Sequence, residues 1–221
     1  MVSRAVDLLL DNKRPVLVAG AGVIRSEGWL EHEQLTELLG CPVATSISGK
    51  GALAETHPYS LGVVGSNGGL ACRHEFINSA DLVFYIGCHT GSVTTDKWAL
   101  PVDRSVKVIQ MDVDPARIGL NYQVAAGVVA DARLGLAALV EELEGRLGGG
   151  KTGKTDPELI ACKRQNYMSS MEEFSSGASP IRPERFVTEL AKVLPDDTLV
   201  ITDPGTPTPY IAAYYRLPKA G

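Results

Sequence analysis

Pro15-Val16-Leu17-Val18-Ala19-Gly20-Ala21-Gly22 is the stretch on which the fold turns. Five apolar residues run without a polar interruption, the pattern of a strand buried on both faces rather than one. The run ends in a G-x-G turn, where missing side chains let the backbone pack closely or approach a phosphate. The apolar period then changes. Trp29 to Leu39 reads as a helix with Leu30, Leu35, Leu38 and Leu39 on its apolar side, and Gly40 stops it. Strand, glycine turn and helix in that order begin a parallel α/β sheet.

Outward from this unit the alternation continues. Arg4 to Asn12 precedes it as a short helix with Val6, Leu9 and Leu10 on one face, and Cys41 to Thr45 follows as the second strand. A long glycine-rich connection then carries Ser48-Gly49-Lys50-Gly51 and Gly65-Ser66-Asn67-Gly68-Gly69 to a helix over Leu70 to Ser79. Further strands are predicted at Asp81 to Gly87, Val106 to Asp112 and Val124 to Ala130, with a helix from Arg133 to Leu147. The fold class is α/β: a Rossmann-like, doubly wound parallel sheet of about six strands with helices on both faces. Gly148-Gly149-Gly150-Lys151-Thr152-Gly153 breaks the pattern as a linker. Beyond it come a helix over Pro157 to Phe174 and another over Pro183 to Val193, with Phe186, Val187, Leu190 and Val193 as its buried stripe. A buried strand at Thr198 to Thr202 and a last helix from Pro209 to Tyr215 complete the reading. One strand and its helices cannot bury their own faces, so a second domain is expected to begin here and be cut short.

With 221 residues, 44% hydrophobic and 21% charged, the chain is long and apolar enough for a full core. No apolar run approaches the roughly 20 residues of a membrane helix, and the N-terminal stretch lacks a signal-peptide core. No membrane role and a cytoplasmic location are therefore expected. A net charge of −5 argues against a nucleic-acid surface. Cys41, Cys72, Cys88 and Cys162 lie far apart with no C-x-x-C pair, and the four histidines show no metal spacing.

The strand ends carry the candidate chemistry. Gly20-Ala21-Gly22 is not the full dinucleotide fingerprint, because Arg25 stands at the third glycine position. The second strand also ends without the acid that holds a nicotinamide ribose. Both a ligand-facing turn and a structural one stay open. Ser48-Gly49-Lys50-Gly51 lacks the upstream glycine and the Ser or Thr of a phosphate loop and reads as structural. Gly65-Ser66-Asn67-Gly68 is no nucleophile elbow, though its glycines would let the chain pass close to a ligand. Asp112, at the carboxyl end of a strand, is placed to accept hydrogen bonds from ribose hydroxyls. Asp114 with Pro115 reads as a helix cap, and Asp131 either caps the next helix or edges an adenine pocket. Cys88 and His89 are adjacent on a strand end and so point in opposite directions, which argues against a nucleophilic pair. No paired carboxylates, triad or metal cluster emerges elsewhere.

The order of landmarks is more specific than any one of them. Arg14 to Gly22 is followed by Gly40-Cys41-Pro42-Val43-Ala44-Thr45, Gly49-Lys50-Gly51 with His57-Pro58, and Leu61-Gly62-Val63-Val64-Gly65. Next come Ala80-Asp81-Leu82-Val83 with Ile86-Gly87, and then Val108 to Pro115. Ile118-Gly119, Asn121-Tyr122 and Val129-Ala130-Asp131-Ala132 close the series. In this order the chain, from about Val6 to Leu143, resembles the central domain of thiamine-diphosphate enzymes such as acetolactate synthase, benzoylformate decarboxylase and oxalyl-CoA decarboxylase. Pro180 to Thr206 resembles the start of that family's diphosphate-binding domain.

The resemblance implies a central domain over 1–147, a linker with a helical segment over 148–179 and the start of the diphosphate-binding domain over 180–221. It implies thiamine diphosphate and Mg2+ in the parent enzyme, with Gly205 and Thr206 near that cofactor. It also implies pyrimidine-binding and diphosphate-binding domains as partners and a homo-oligomer. Members bind FAD or ADP in the central domain or carry no nucleotide. A nucleotide would lie along Gly20, Ala21 and Gly22 beside Gly65, with Asp112, Val113 and Asp131 toward ribose and adenine. Acetolactate synthases carry an Arg soon after the glycine matched by Gly87, whereas this chain reads Cys88-His89-Thr90-Gly91. The family's G-D-G motif with its metal-binding Asn, and the glutamate of its pyrimidine domain, have no counterpart among these 221 residues. The chain by itself is therefore expected not to turn over. An NAD-binding Rossmann enzyme and a purely structural spacer or oligomerisation domain stand as alternatives.

Overall fold

The computed structural model describes residues 1–175, 177 and 179–221. The apolar run Pro15–Ala19 forms β1, with every residue buried. On one side β1 pairs with β2 (Val43–Thr45), which pairs with β3 (Ser60–Val63). On the other it pairs with β4 (Leu82–Ile86), followed by β5 (Lys107–Asp112) and β6 (Ala126–Val129). Every ladder is parallel and the order is β3-β2-β1-β4-β5-β6, the doubly wound arrangement expected from the alternating pattern.

The pleat divides the core into two layers. Leu17, Ala19, Val43, Phe84, Ile86, Ile109 and Met111 face α1 (Val2–Asp11), the short α2 (Ala21–Arg25), α3 (Trp29–Leu39) and α5 (Ala132–Leu147). Those helices supply Val6, Leu9, Leu35, Leu39, Leu136, Leu139 and Leu143. Val16, Val18, Ala44, Val83, Tyr85 and Val108 face the opposite layer, with Phe76 and Ile77 of α4 (Ala71–Asn78) and Ile160 of α6 (Pro157–Ser175). Each Val, Leu, Ile, Phe or Met among them contributes about 1.5–3 kcal/mol of burial. Two-sided burial is what the uninterrupted strands require.

Four expectations are corrected. The sixth strand is β3, inside the segment read as a glycine-rich connection; Gly62 there has φ +84°, and the β2–β3 register shifts between Val43 and Ala44. Thr198 to Thr202 forms no strand, and Leu199 and Ile201 are 84% and 85% exposed. A strand needs a neighbour for its backbone donors and acceptors, and no described strand pairs with this run. In α3, Leu30 is exposed while His32 and Thr36 are buried, so the helix presents a different stripe to the core. In α7 (Pro183–Val193) only Val187 is buried; Phe186 and Val193 are exposed because α7 packs mainly on α8 (Pro207–Tyr214), which starts two residues earlier than expected.

The glycine linker is tied down at its far end. Gly148 closes α5 in the left-handed conformation, then Thr152, Lys154 and Thr155 donate backbone N–H groups to the carbonyls of Leu38, Leu39 and Gly40. The Lys154 ammonium donates to the carbonyls of Leu10 and Asn12 at 2.6 and 2.8 Å. This strap carries the chain from the α5 layer to α6 on the other face.

The buried His32 ring makes stability pH-dependent. Its Nδ1–H donates to the Ala52 carbonyl at 3.0 Å, and burial pushes its pKa from 6.5 down to about 4. The unfolded chain therefore binds a proton that the folded chain excludes in this window. Stability should fall as pH drops from about 6.5 to about 4, by on the order of 3 kcal/mol from this group. His32→Gln, which keeps an N–H donor for Ala52, should remove that part of the slope. Urea unfolding of both proteins across this range measures it, and equal slopes would refute the assignment.

Candidate functional site

From β1 the chain moves outward to β2 and β3, then returns to β4 on the other side of β1. The loops leaving β1 and β4 diverge, opening a crevice above their carboxyl ends, the place where open α/β sheets bind ligands. A cavity of about 390 Å3 lies there.

Two glycine turns form its floor. The Gly20 N–H donates to the Ile86 carbonyl at 2.8 Å and the Gly22 N–H to the Gly87 carbonyl at 3.0 Å. A Cβ on Gly20 would lie 2.2 Å from the Gly87 oxygen, and one on Gly22 2.6 Å from the Gly87 Cα. Backbone packing therefore requires both glycines, while Ala21 and Gly22 still line the cavity. Gly49 packs equally closely on the Ala19 carbonyl, and Lys50 turns inward to pair with the buried Glu55. Gly49 and Lys50 therefore serve the fold, while Ser48 of the same loop lines the cavity.

Asp112 ends β5 at the cavity wall, 3% exposed. Its Oδ1 accepts the Asp114 N–H at 3.0 Å. Its Oδ2 is buried and receives no hydrogen bond among the described residues. His89 Nε2 stands 3.8 Å from that oxygen, on a side chain 60% exposed at the rim. A buried acceptor without a donor costs about 1–3 kcal/mol. Of the buried side-chain atoms left unpartnered among the described residues, only this one belongs to a cavity-lining residue.

The other expected residues divide. Val113 and Asp131 line the same cavity. Asp131 caps α5, accepting the N–H groups of Arg133 and Leu134 at 3.0 and 3.2 Å, and Asp114 caps the short turn at Pro115. Gly65, with φ +97°, lies one layer back: a Cβ there would meet the carbonyl oxygens of Val93 and Thr94, and Thr94 itself faces the cavity. Gly205 and Thr206 sit on an exposed loop before α8, outside this lining. Cys88 is buried and its thiol pKa is pushed up to about 11 by desolvation, so it remains a protonated thiol while His89 points outward. Sequence reasoning did not single out Ser26 and Ser46, read Ser48 as part of a structural loop and did not assign Arg25 to the site, yet all four line the cavity. The signal for Arg25 was its place at the third glycine position. For the serines it was their proximity to the ends of β1 and β2.

Cavity, switch point and glycine turns define a Rossmann-like domain with an open crevice at the carboxyl edge of its sheet. Residues 2–139 match the family model described as the thiamine pyrophosphate enzyme central domain. A probable acetolactate synthase large subunit of Methanococcus aeolicus is 32% identical over 97% of this chain and 37% of its own length. Glyoxylate carboligase of Escherichia coli O157:H7 is 29% identical over 92% of the chain and 34% of its length. A sulfoacetaldehyde acetyltransferase of Alcaligenes xylosoxydans xylosoxydans is 28% identical over 96% and 39%. The chain belongs to the thiamine pyrophosphate enzyme family, as an acetolactate synthase-like central domain, and the NAD-enzyme alternative is not favoured. It spans between a third and two fifths of the length of these relatives.

The packing role of the glycine floor is testable apart from any ligand. Gly20→Ala should destabilise by about 1–3 kcal/mol or more, since its neighbours are backbone atoms that cannot rotate away. Gly145→Ala, in open space on α5, should instead stabilise by about 0.5–1 kcal/mol. Urea midpoints of the two variants give the comparison; an unchanged Gly20→Ala midpoint would contradict the floor.

Proposed function

We propose that this chain forms the middle of a thiamine-diphosphate-dependent enzyme acting on 2-oxo acids, and that its crevice holds the adenosine diphosphate portion of FAD or ADP. The observation carrying the nucleotide reading is the buried, unpartnered Oδ2 of Asp112 in a cavity at the switch point. In this reading that oxygen accepts a ribose hydroxyl. The turn Gly20-Ala21-Gly22 lies along the diphosphate with Arg25 at its mouth, Gly65 backs the wall, and Val113 and Asp131 border the adenine. A volume of about 390 Å3 falls within the usual range for small-ligand sites and suits the moiety that FAD and ADP share.

The relatives named for acetolactate and glyoxylate chemistry support the 2-oxo acid class. The proposed organisation is a central domain over 1–147, a linker over 148–179 and the beginning of the diphosphate-binding domain over 180–221. Pyrimidine-binding and diphosphate-binding domains would complete a cytoplasmic homo-oligomer. Thiamine diphosphate with Mg2+ would supply the electron sink for decarboxylation or carboligation. Gly205 and Thr206 would approach it, but they stand exposed on a loop. Among the described residues no group of three His, Cys, Asp or Glu could hold a metal. The residues here do not build that seat alone, and no reaction step is assigned to them.

Thermal unfolding with ADP, FAD, NAD, CoA and thiamine diphosphate tests the nucleotide site. ADP or FAD at 100 times its dissociation constant should stabilise the chain by about 2.7 kcal/mol. Asp112→Asn keeps the acceptor for the Asp114 N–H but should weaken nucleotide binding about tenfold or more, as expected for losing a hydrogen bond to a charged group. No shift with either nucleotide would overturn the site and leave the domain as a spacer between catalytic neighbours.

A further inference from the structure

A second cavity, of about 260 Å3, lies on the opposite face of the sheet from the α5 layer, between α4, α6 and α8. Three arginines line it: Arg73 from α4, Arg164 from α6 and Arg216 just after α8. No aspartate or glutamate does. Among the described residues none of the three guanidinium groups is ion-paired with a carboxylate. Arg73 donates only to carbonyls, of Val63 at 2.9 Å, Gly68 at 3.2 Å and Ala213 at 2.7 Å. Arg164 makes one long contact, 3.5 Å, to the Ser60 carbonyl, and Arg216 donates to the Glu55 carbonyl.

Two nearby carboxylates are already engaged. Glu55, buried, holds the Lys50 ammonium and the Leu217 N–H. Glu75 is 2.5 Å from the Lys163 ammonium. The arginines therefore crowd like charge around a partly enclosed space. Desolvation, together with the charges of Arg216 and Arg73, lowers the pKa of Arg164. Leu61, Leu70, Phe76, Ile160 and Met168 line the same space and make it apolar as well as cationic.

We infer that this cavity is a binding site for a small organic anion, a carboxylate or phosphate head on a short apolar body, seated between the central sheet and the C-terminal helix. The head meets Arg164 and Arg216, whose donors are not consumed by the fold as those of Arg73 are. The body rests on Phe76, Ile160 and Met168. The anion supplies the countercharge that the lining lacks. Because its walls come from α4, α6 and α8, occupation also holds the C-terminal helix on the sheet.

The test uses the full chain at low ionic strength, with octanoate, octyl phosphate, octanol and inorganic phosphate as probes in calorimetry. Both octyl anions should bind at least tenfold more tightly than octanol and than inorganic phosphate. Arg164→Gln should weaken octanoate about tenfold while leaving the ligand-free melting temperature within a few degrees. Nuclear Overhauser contacts from octanoate to the Met168 methyl should locate it whether or not that variant folds. Equal binding of octanoate and octanol, unchanged octanoate affinity in Arg164→Gln, or contacts placed elsewhere would overturn the site. Phosphate binding as tightly as octyl phosphate would overturn the apolar half of the assignment.

Discussion

Everything at the carboxyl edge of this sheet depends on the contact between two bare backbones, the turn after β1 and the turn after β4. Gly20 and Gly22 lie against Gly87 so closely that any side chain would overlap main-chain atoms. This contact fixes β1 and β4 side by side, where the chain reverses the direction in which it adds strands. It also leaves space above, because glycines cannot fill the crevice they floor. Packing and vacancy thus have one cause: the backbone contact requires Gly20 and Gly22, and Gly22 and Gly87 also border the cavity above.

The two faces of the sheet handle buried charge differently. At the carboxyl edge the cavity wall holds a carboxylate oxygen, Asp112 Oδ2, that is left without a donor among the described residues. On the α4 and α6 side, Arg73 spends its donors on carbonyls of β3, the following loop and α8, so one guanidinium stitches three segments together. Neutral carbonyls satisfy its hydrogen bonds but not its charge, and Arg164 and Arg216 stand in the same cavity. Net positive charge on a chain of overall charge −5 is thereby concentrated at one place. The C-terminal segment is held by this region and by the tail, where Leu217 and Gly221 donate to Glu55 and Gly51.

Much of this was legible because parallel strands buried on both faces have a one-dimensional signature. β1, β4 and β5 read directly from their apolar runs, and Gly40 and Asp131 marked the end of α3 and the start of α5. β3 was hidden because Gly62 and Ser60 dilute its apolar run within a glycine-rich segment. Thr198 to Thr202 erred in the other direction: an apolar run is necessary for a buried strand but does not supply the neighbour. In α3 the buried polar residues His32 and Thr36 are invisible to a hydrophobic stripe, although the Ala52 carbonyl takes up His32 Nδ1 and the helix's own carbonyl takes up the Thr36 hydroxyl. The position of Asp112 was legible, whereas its orphaned oxygen was not. The arginine cavity joins residues more than 140 positions apart, such as Arg73 and Arg216, which no local pattern connects.

A crevice at a switch point comes with the fold, and many unrelated functions use it. Its presence alone therefore assigns nothing. What individualises this one is chemical. A void walled only by apolar groups stays dry at little further cost, whereas a buried carboxylate oxygen demands a donor. One water would satisfy that oxygen, but the space around it is far larger than one water needs. The other walls include backbone, the hydroxyls of Ser26, Ser46, Ser48 and Thr94, and Arg25, groups that can donate to oxygen-rich ligands, beside the helix-capping carboxylate of Asp131. These donors, together with the unpartnered Asp112 acceptor, complement the diphosphate oxygens and the hydroxyls of a sugar carrying a diphosphate. The polarity of the walls, more than the shape of the fold, is the argument for a nucleotide here.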